Sequence, residues 1–155
     1  MPAELRKRDR WLSWKPVTRR GRQTKVPVRL DGRPASSTDP GTWTSYRKVR
    51  GLARIGYALG EGVGCVDLDH CLVDGRPTAA AAEFLGKLPP TYIEVSPSGD
   101  GLHVWGLLPE GPGSRRVVDG LSVETYSVGR YITVTGNRFV GSVSRLADLS
   151  RVLAS

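Results

Sequence analysis

Nineteen Gly and eleven Pro interrupt a chain of 155 residues, and that density of breakers excludes a helical bundle. Each Gly inside a helix costs about 1 kcal/mol and each Pro about 3. The chain is therefore cut into short elements joined by many turns. Its length suits one domain of about 150 residues, enough to bury a core without disulfide or metal staples. Apolar residues make up 39% and charged residues 25%, a balance typical of soluble globular proteins and too apolar for a disordered chain. No stretch approaches the ~20 apolar residues of a membrane span, so no membrane partner is expected. The start, Met1-Pro2-Ala3-Glu4-Leu5-Arg6-Lys7-Arg8, lacks the apolar stretch of a secretion signal. Cys65 and Cys71 are too few for a disulfide framework, and a reducing cytoplasm is the expected location.

Residues 10–15 and 25–30 read as strands, with a basic turn at Arg19-Arg20-Gly21-Arg22 between them. Thr38-Asp39-Pro40 has the form of a helix start and predicts a helix over 40–49. Strands over 54–59 and 64–68 are expected to form a hairpin through Gly60-Glu61-Gly62. The four consecutive Ala within 77–88 predict a helix. Residues 91–95, 102–107, 122–126 and 130–135 are further strands, several of them β-branched and aromatic. Val143, Leu146, Leu149 and Leu153 predict an amphipathic helix over 142–154. The expected fold class is α+β, a mostly antiparallel sheet with flanking helices. A single domain over 1–155 would comprise a basic part to about residue 50, a second part over about 51–140, and the final helix.

The charge is uneven. Residues 1–50 hold 14 Lys/Arg against 4 Asp/Glu, while residues 51–155 hold 9 against 11. A front of net +10 beside a mildly acidic body offers a surface for polyanions. Arg19, Arg20, Arg22 and Lys25 are its candidate nucleic-acid contacts. Trp11, Trp14 and Trp43 lie in the same segment, and aromatics interleaved with cations can stack bases while the cations hold phosphates. A solvated basic face with core tryptophans is the plainer alternative.

Three constellations carry chemistry. In Gly64-Cys65-Val66-Asp67-Leu68-Asp69 an apolar strand leads into two carboxylates spaced i, i+2, which on a strand share one face. Such a repelling pair is commonly held by a hard cation, and all-oxygen ligation favours Mg²⁺ or Mn²⁺; a strand running out into a solvated turn is the alternative. In Ser96-Pro97-Ser98-Gly99-Asp100-Gly101-Leu102-His103, the hydroxyls of Ser96 and Ser98 and the backbone at Gly99 and Gly101 could cradle an anion. His103 would add a ring N–H, or a full positive charge against a triphosphate; taken alone, this segment reads more plainly as a Gly-rich hairpin with a satisfied His. In Val123-Glu124-Thr125-Tyr126 one acid sits in an apolar strand, costly to bury unless paired or bound to metal.

Taken in order, these features resemble the archaeo-eukaryotic primase superfamily, and most closely the primase-polymerase domains of phages, plasmids and other mobile elements. The resemblance covers roughly residues 11–140. It includes Lys25-Val26-Pro27, Thr42-Trp43, Gly56-Tyr57 and Arg130-Tyr131 with Thr135-Gly136 as flanks. It implies an RRM-like catalytic core and template-dependent nucleotidyl transfer by two ions, Mg²⁺ or Mn²⁺, held about 3.5–4 Å apart. Asp67, Asp69 and Glu124 would be the catalytic ligands; Ser96, Ser98, Gly99, Gly101, His103 and Arg130 would orient the nucleotide. It further implies single-stranded or primed DNA and nucleoside triphosphates as partners, with a helicase or helical primase domain in trans or elsewhere in a longer protein. Two Cys and two His do not make a zinc cluster, so no zinc is expected. Among rivals, a haloacid-dehalogenase-like phosphatase would want Thr or Val where Cys71 stands, and a rolling-circle nicking enzyme would want His-x-His. Absence of Gly-Lys-Ser/Thr speaks against an ATP-driven motor. A non-catalytic single-stranded nucleic-acid-binding module is the rival from another class.

Overall fold

The computed structural model describes residues 1–154; Ser155, the last residue of the expected domain, lies outside them. In chain order the elements are α1 (Ala3–Arg6), β1 (Trp11–Arg19), β2 (Arg22–Val28), a 3₁₀ turn (Pro40–Thr42), α2 (Tyr46–Val49) and β3 (Ile55–Ala58). Then come β4 (Val63–Asp69), β5 (Leu72–Val73), β6 (Arg76–Pro77), α3 (Ala79–Gly86), β7 (Ile93–Val95) and β8 (Leu102–Leu107). The last are β9 (Ser114–Val118), β10 (Leu121–Tyr126), β11 (Tyr131–Val134), β12 (Ala147–Asp148) and α4 (Ser150–Leu153). Among the described residues no helix is long and apolar enough to cross a membrane.

The fold is α+β, as expected, but it uses two principal sheets. One has the order β11-β3-β1-β2; the other has the order β12-β8-β4-β10-β9, with β7 also paired to β8. Of the pairings between these strands, β12 with β8 is parallel and the rest are antiparallel. The expected hairpin of residues 54–59 with 64–68 does not form. Gly60 bridges only Val63, and the chain crosses there from one sheet to the other. Every residue of β3 and the first four of β4 are buried, and a strand buried so fully needs partners on both edges. Accordingly β3 pairs β1 and β11, while β4 pairs β8 and β10.

Strand alternation gives the β4 sheet two buried faces. Val63 and Cys65 pack with Trp11, Tyr57, Tyr92, Trp105 and Ile132 between the sheets. Val66 and Leu68 pack with Ala81, Phe84, Leu102, Val104 and Val123 beneath α3. Trp11, Tyr57 and Trp105 form an edge-to-face series across the first core, with centroids 5.2 and 5.8 Å apart. Helix α3 begins at Thr78, whose hydroxyl accepts from the Ala81 N–H.

Two predicted helices are corrected. The 40–49 segment divides, because Thr44 exchanges both backbone hydrogen bonds with Trp11 at 3.0 and 2.7 Å. Over 142–154 only Ser150–Leu153 is helical. A helix would place Leu146 and Leu149 on one face, whereas they enter different cores. The extended chain there donates from Ala147 N–H to the Thr91 hydroxyl and adds β12 beside Gly106 and Leu107. Gly106 admits this strand: a Cβ on it would meet the Leu149 side chain and sit 2.8 Å from the Ala147 carbonyl oxygen. Gly106→Ala should therefore destabilise the fold by about 1–3 kcal/mol, read as a lowered melting temperature in calorimetry.

Candidate metal centre and nucleotide cavity

Register across the β4 sheet builds the site. Asp67 on β4 lies opposite Glu124 on β10 and opposite His103 on β8. His103 in turn lies opposite Glu94 on β7. Directly opposed residues project to the same side of a sheet, so Glu94, His103, Asp67 and Glu124 form one row of ionisable groups. Asp69, two residues on, shares that face. One step back along β4 the same face carries Cys65 opposite Trp105 and Tyr126. The apolar core between the sheets thus ends where the carboxylates begin.

Asp67, Asp69 and Glu124 each present a ligand atom within 4.8 Å of the others. Burial, then the charges of Asp69 and Glu124, push the Asp67 carboxyl from 3.8 up to about 7, while Lys25 pulls it down. Glu124 accepts from the Tyr126 hydroxyl at 2.8 Å and has Arg115 Nε at 3.4 Å. Oxygen donors clustered this closely fit a hard divalent cation. His103 is buried, with Nδ1 3.2 Å from the Thr133 carbonyl oxygen and Nε2 3.6 Å from Asp67. A carbonyl only accepts, so Nδ1 carries the proton and Nε2 presents a lone pair toward Asp67. Burial, with help from Lys25, pushes the imidazole down to about 4. Burial therefore favours a neutral imidazole at His103, whereas the sequence leads to the expectation of a charged one against a triphosphate.

These groups line a cavity of about 420 Å³ that also receives Lys25, Ser96, Ser98 and Arg130. The sequence-predicted residues thus largely converge. Gly99 and Gly101 do not line it. The turn is more self-satisfied than expected, since Ser96 N–H donates to the Gly101 carbonyl and Gly99 N–H to the Ser96 carbonyl. Ser98 donates to Asp100 at 2.7 Å, and Asp100 pairs with His70 at 2.6 Å. Gly101 instead allows a close approach: a Cβ there would sit 2.8 Å from the Leu68 carbonyl oxygen and 2.9 Å from Ser96 Oγ. Arg130 stacks on Tyr126, 3.9 Å from the ring centroid. Lys25 reaches the cavity, but Arg19, Arg20 and Arg22 stand apart at the exposed β1–β2 turn.

Sequence reasoning passed over Glu94. It is fully buried and its carboxyl is raised by burial. It accepts from the N–H groups of Thr135 and Gly136 and from the Tyr92 hydroxyl. The signal that drew attention to Glu124, one acid inside an apolar strand, was equally present in Ile93-Glu94-Val95.

The family described as "Bifunctional DNA primase/polymerase, N-terminal" matches residues 11–149. The chain belongs to this family. A DNA primase-polymerase of Nitratiruptor phage NrS-1 is 38% identical over 147 residues, a match covering 84% of this chain and 20% of the phage protein. The chain thus spans about a fifth of that relative's length.

The raised Asp67 carboxyl has a consequence for stability. In the folded protein it holds its proton up to about pH 7, whereas an unfolded chain releases it near 3.8. Between those values the folded state binds more protons, so its stability falls as pH rises, by at most about 4 kcal/mol. In chelator, Asp67→Asn should flatten the pH dependence of the melting temperature between pH 4 and 7. Added Mn²⁺ should raise the wild-type melting temperature more at pH 7.5 than at pH 5. Parallel pH profiles for the two proteins would contradict the assignment.

Proposed function

We propose that the chain performs template-dependent nucleotidyl transfer, as DNA polymerase, primase or both, in replication of a mobile element. The observation that carries this reading is the Asp67, Asp69 and Glu124 cluster beside His103, in a cavity shared with Lys25 and Arg130. The β4, β8 and β10 strands with α3 behind them would form an RRM-like catalytic core. Mg²⁺ or Mn²⁺ held by the three carboxylates would supply the charge that activates a primer 3′-hydroxyl and steadies leaving pyrophosphate.

The chain's own side chains account for the rest. Lys25 and Arg130 draw a triphosphate toward the carboxylates. Ser96 and Ser98 line the cavity wall, where their hydroxyls, bonded to each other and to Asp100, would turn to donate to a bound phosphate, and His103 Nε2 faces the same space. Charges held in place in this way lower the barrier by positioning and by stabilising developing charge. Arg19, Arg20 and Arg22, at the projecting turn, suit contact with template phosphates outside the cavity. A helicase or helical domain would act with this one.

Labelled-nucleotide incorporation on a primed template with Mn²⁺ tests the reading. Asp67→Ala and Asp69→Ala should each lower incorporation at least a thousandfold while the protein stays folded by circular dichroism. His103→Ala should weaken calorimetric binding of a non-hydrolysable triphosphate and leave single-stranded DNA affinity unchanged. Tight DNA binding by a wild-type protein that incorporates nothing would favour the non-catalytic binding module instead.

A further inference from the structure

The four tryptophans differ in their surroundings. Trp11 and Trp105 are fully buried, and Trp43 lies beneath the Arg10 guanidinium at 4.5 Å. Trp14, near the middle of β1, is only half-buried and lines a second cavity of about 430 Å³. Its Nε1 donates to the Ile55 carbonyl at 3.1 Å, which fixes the ring by one edge. Two cations approach the ring, Arg54 at 5.7 Å and Lys25 at 5.8 Å from its centroid. Among the described residues neither cation has a carboxylate oxygen within 4.0 Å. This cavity shares Gln23, Lys25, Pro97 and Ser98 with the carboxylate cavity, so the two adjoin at Lys25.

An anchored aromatic ring with two cations beside it meets the two needs of a nucleotide, a flat surface for the base and positive charge for its phosphate. Because the ring is already fixed, little side-chain freedom is lost when a base stacks on it. We propose that the Trp14 cavity is a nucleotide site, in which a base stacks on Trp14 and its phosphate is held by Arg54 and Lys25. The inference rests on the nucleotidyl-transfer reading and extends it by locating a base next to the carboxylates. The same chemistry is offered by a nucleotide of the DNA strand and by a free incoming triphosphate.

Binding without turnover separates these sources. In chelator, a fluorescein-labelled short oligothymidylate is titrated by anisotropy and a deoxynucleoside triphosphate by calorimetry. Wild type is compared with Trp14→Ala, Trp14→Phe and Arg54→Ala, with melting temperature as the check on folding. Trp14→Ala should weaken one of the two ligands roughly tenfold or more. Loss on the oligonucleotide assigns the site to the strand; loss on the triphosphate assigns it to the incoming nucleotide. Trp14→Phe should recover most of the affinity, since it keeps the stacking face while losing the bond to Ile55. Arg54→Ala should weaken the same ligand and, for the oligonucleotide, flatten the salt dependence. Undiminished binding of both ligands by Trp14→Ala overturns the proposal, as does a loss that Phe fails to recover. Failure of the underlying reading would show elsewhere, as absence of nucleotide incorporation by wild type.

Discussion

Asp67, Asp69 and Glu124 repel one another, and the sheet holds them together regardless. Their ligand atoms fall within 4.8 Å because Asp67 occupies a strand paired on both sides, with Glu124 at its opposite position on one edge. A one-residue slip of β4 would turn both of its aspartates to the opposite face, against the apolar surface beneath α3. Register is therefore what the site depends on, and the core enforces it. Cys65 on the same face is buried against Trp105, while Val66 and Leu68, on either side of Asp67, are buried on the other. The carboxylates are kept close by apolar packing on two sides, and the repulsion appears in the Asp67 carboxyl, raised to about 7.

The second sheet completes the cavity. The Trp11, Tyr57 and Trp105 rings tie it to the β4 sheet, and β11 then delivers Thr133, whose carbonyl faces His103. Glu94 anchors the segment that follows β11 by accepting from Thr135 and Gly136. A buried carboxylate with three donors is costly to disturb, because removing one partner leaves the rest of the charge uncompensated. Tyr131 reaches the other way and donates to the Lys25 carbonyl, linking the strand that lines the cavity to the β2 strand that carries its lysine. The Trp14 cavity lies along this same β1–β2 hairpin.

Much of this was legible in the sequence, and the exceptions have physical causes. The period-two pattern of Gly64-Cys65-Val66-Asp67-Leu68-Asp69 fixed the shared face of the aspartates before any partner strand was known. The two predicted strands that hold Glu124 and His103 formed within a residue of their expected bounds. What the pattern could not show was which strands pair. Gly60-Glu61-Gly62 resembles a hairpin turn locally, but burial of β3 and β4 on both edges sends them to different sheets. The 142–154 segment has helical spacing of apolar residues, yet those residues serve two separate cores. Strand β9 went unnoticed although Asp119-Gly120, both at positive φ, is a strong signal for a two-residue hairpin. The neutral state of His103 also lay beyond the sequence, because it follows from burial by strands distant in the chain.

The three carboxylates are either a divalent cation site or a strained cluster satisfied by protein groups alone. Anomalous diffraction from crystals soaked in Mn²⁺ with a non-hydrolysable nucleoside triphosphate separates the two. A cation site gives manganese peaks at Asp67, Asp69 and Glu124, with triphosphate density extending toward Lys25 and Arg130. Triphosphate density in the cavity with manganese absent from those carboxylates would contradict it.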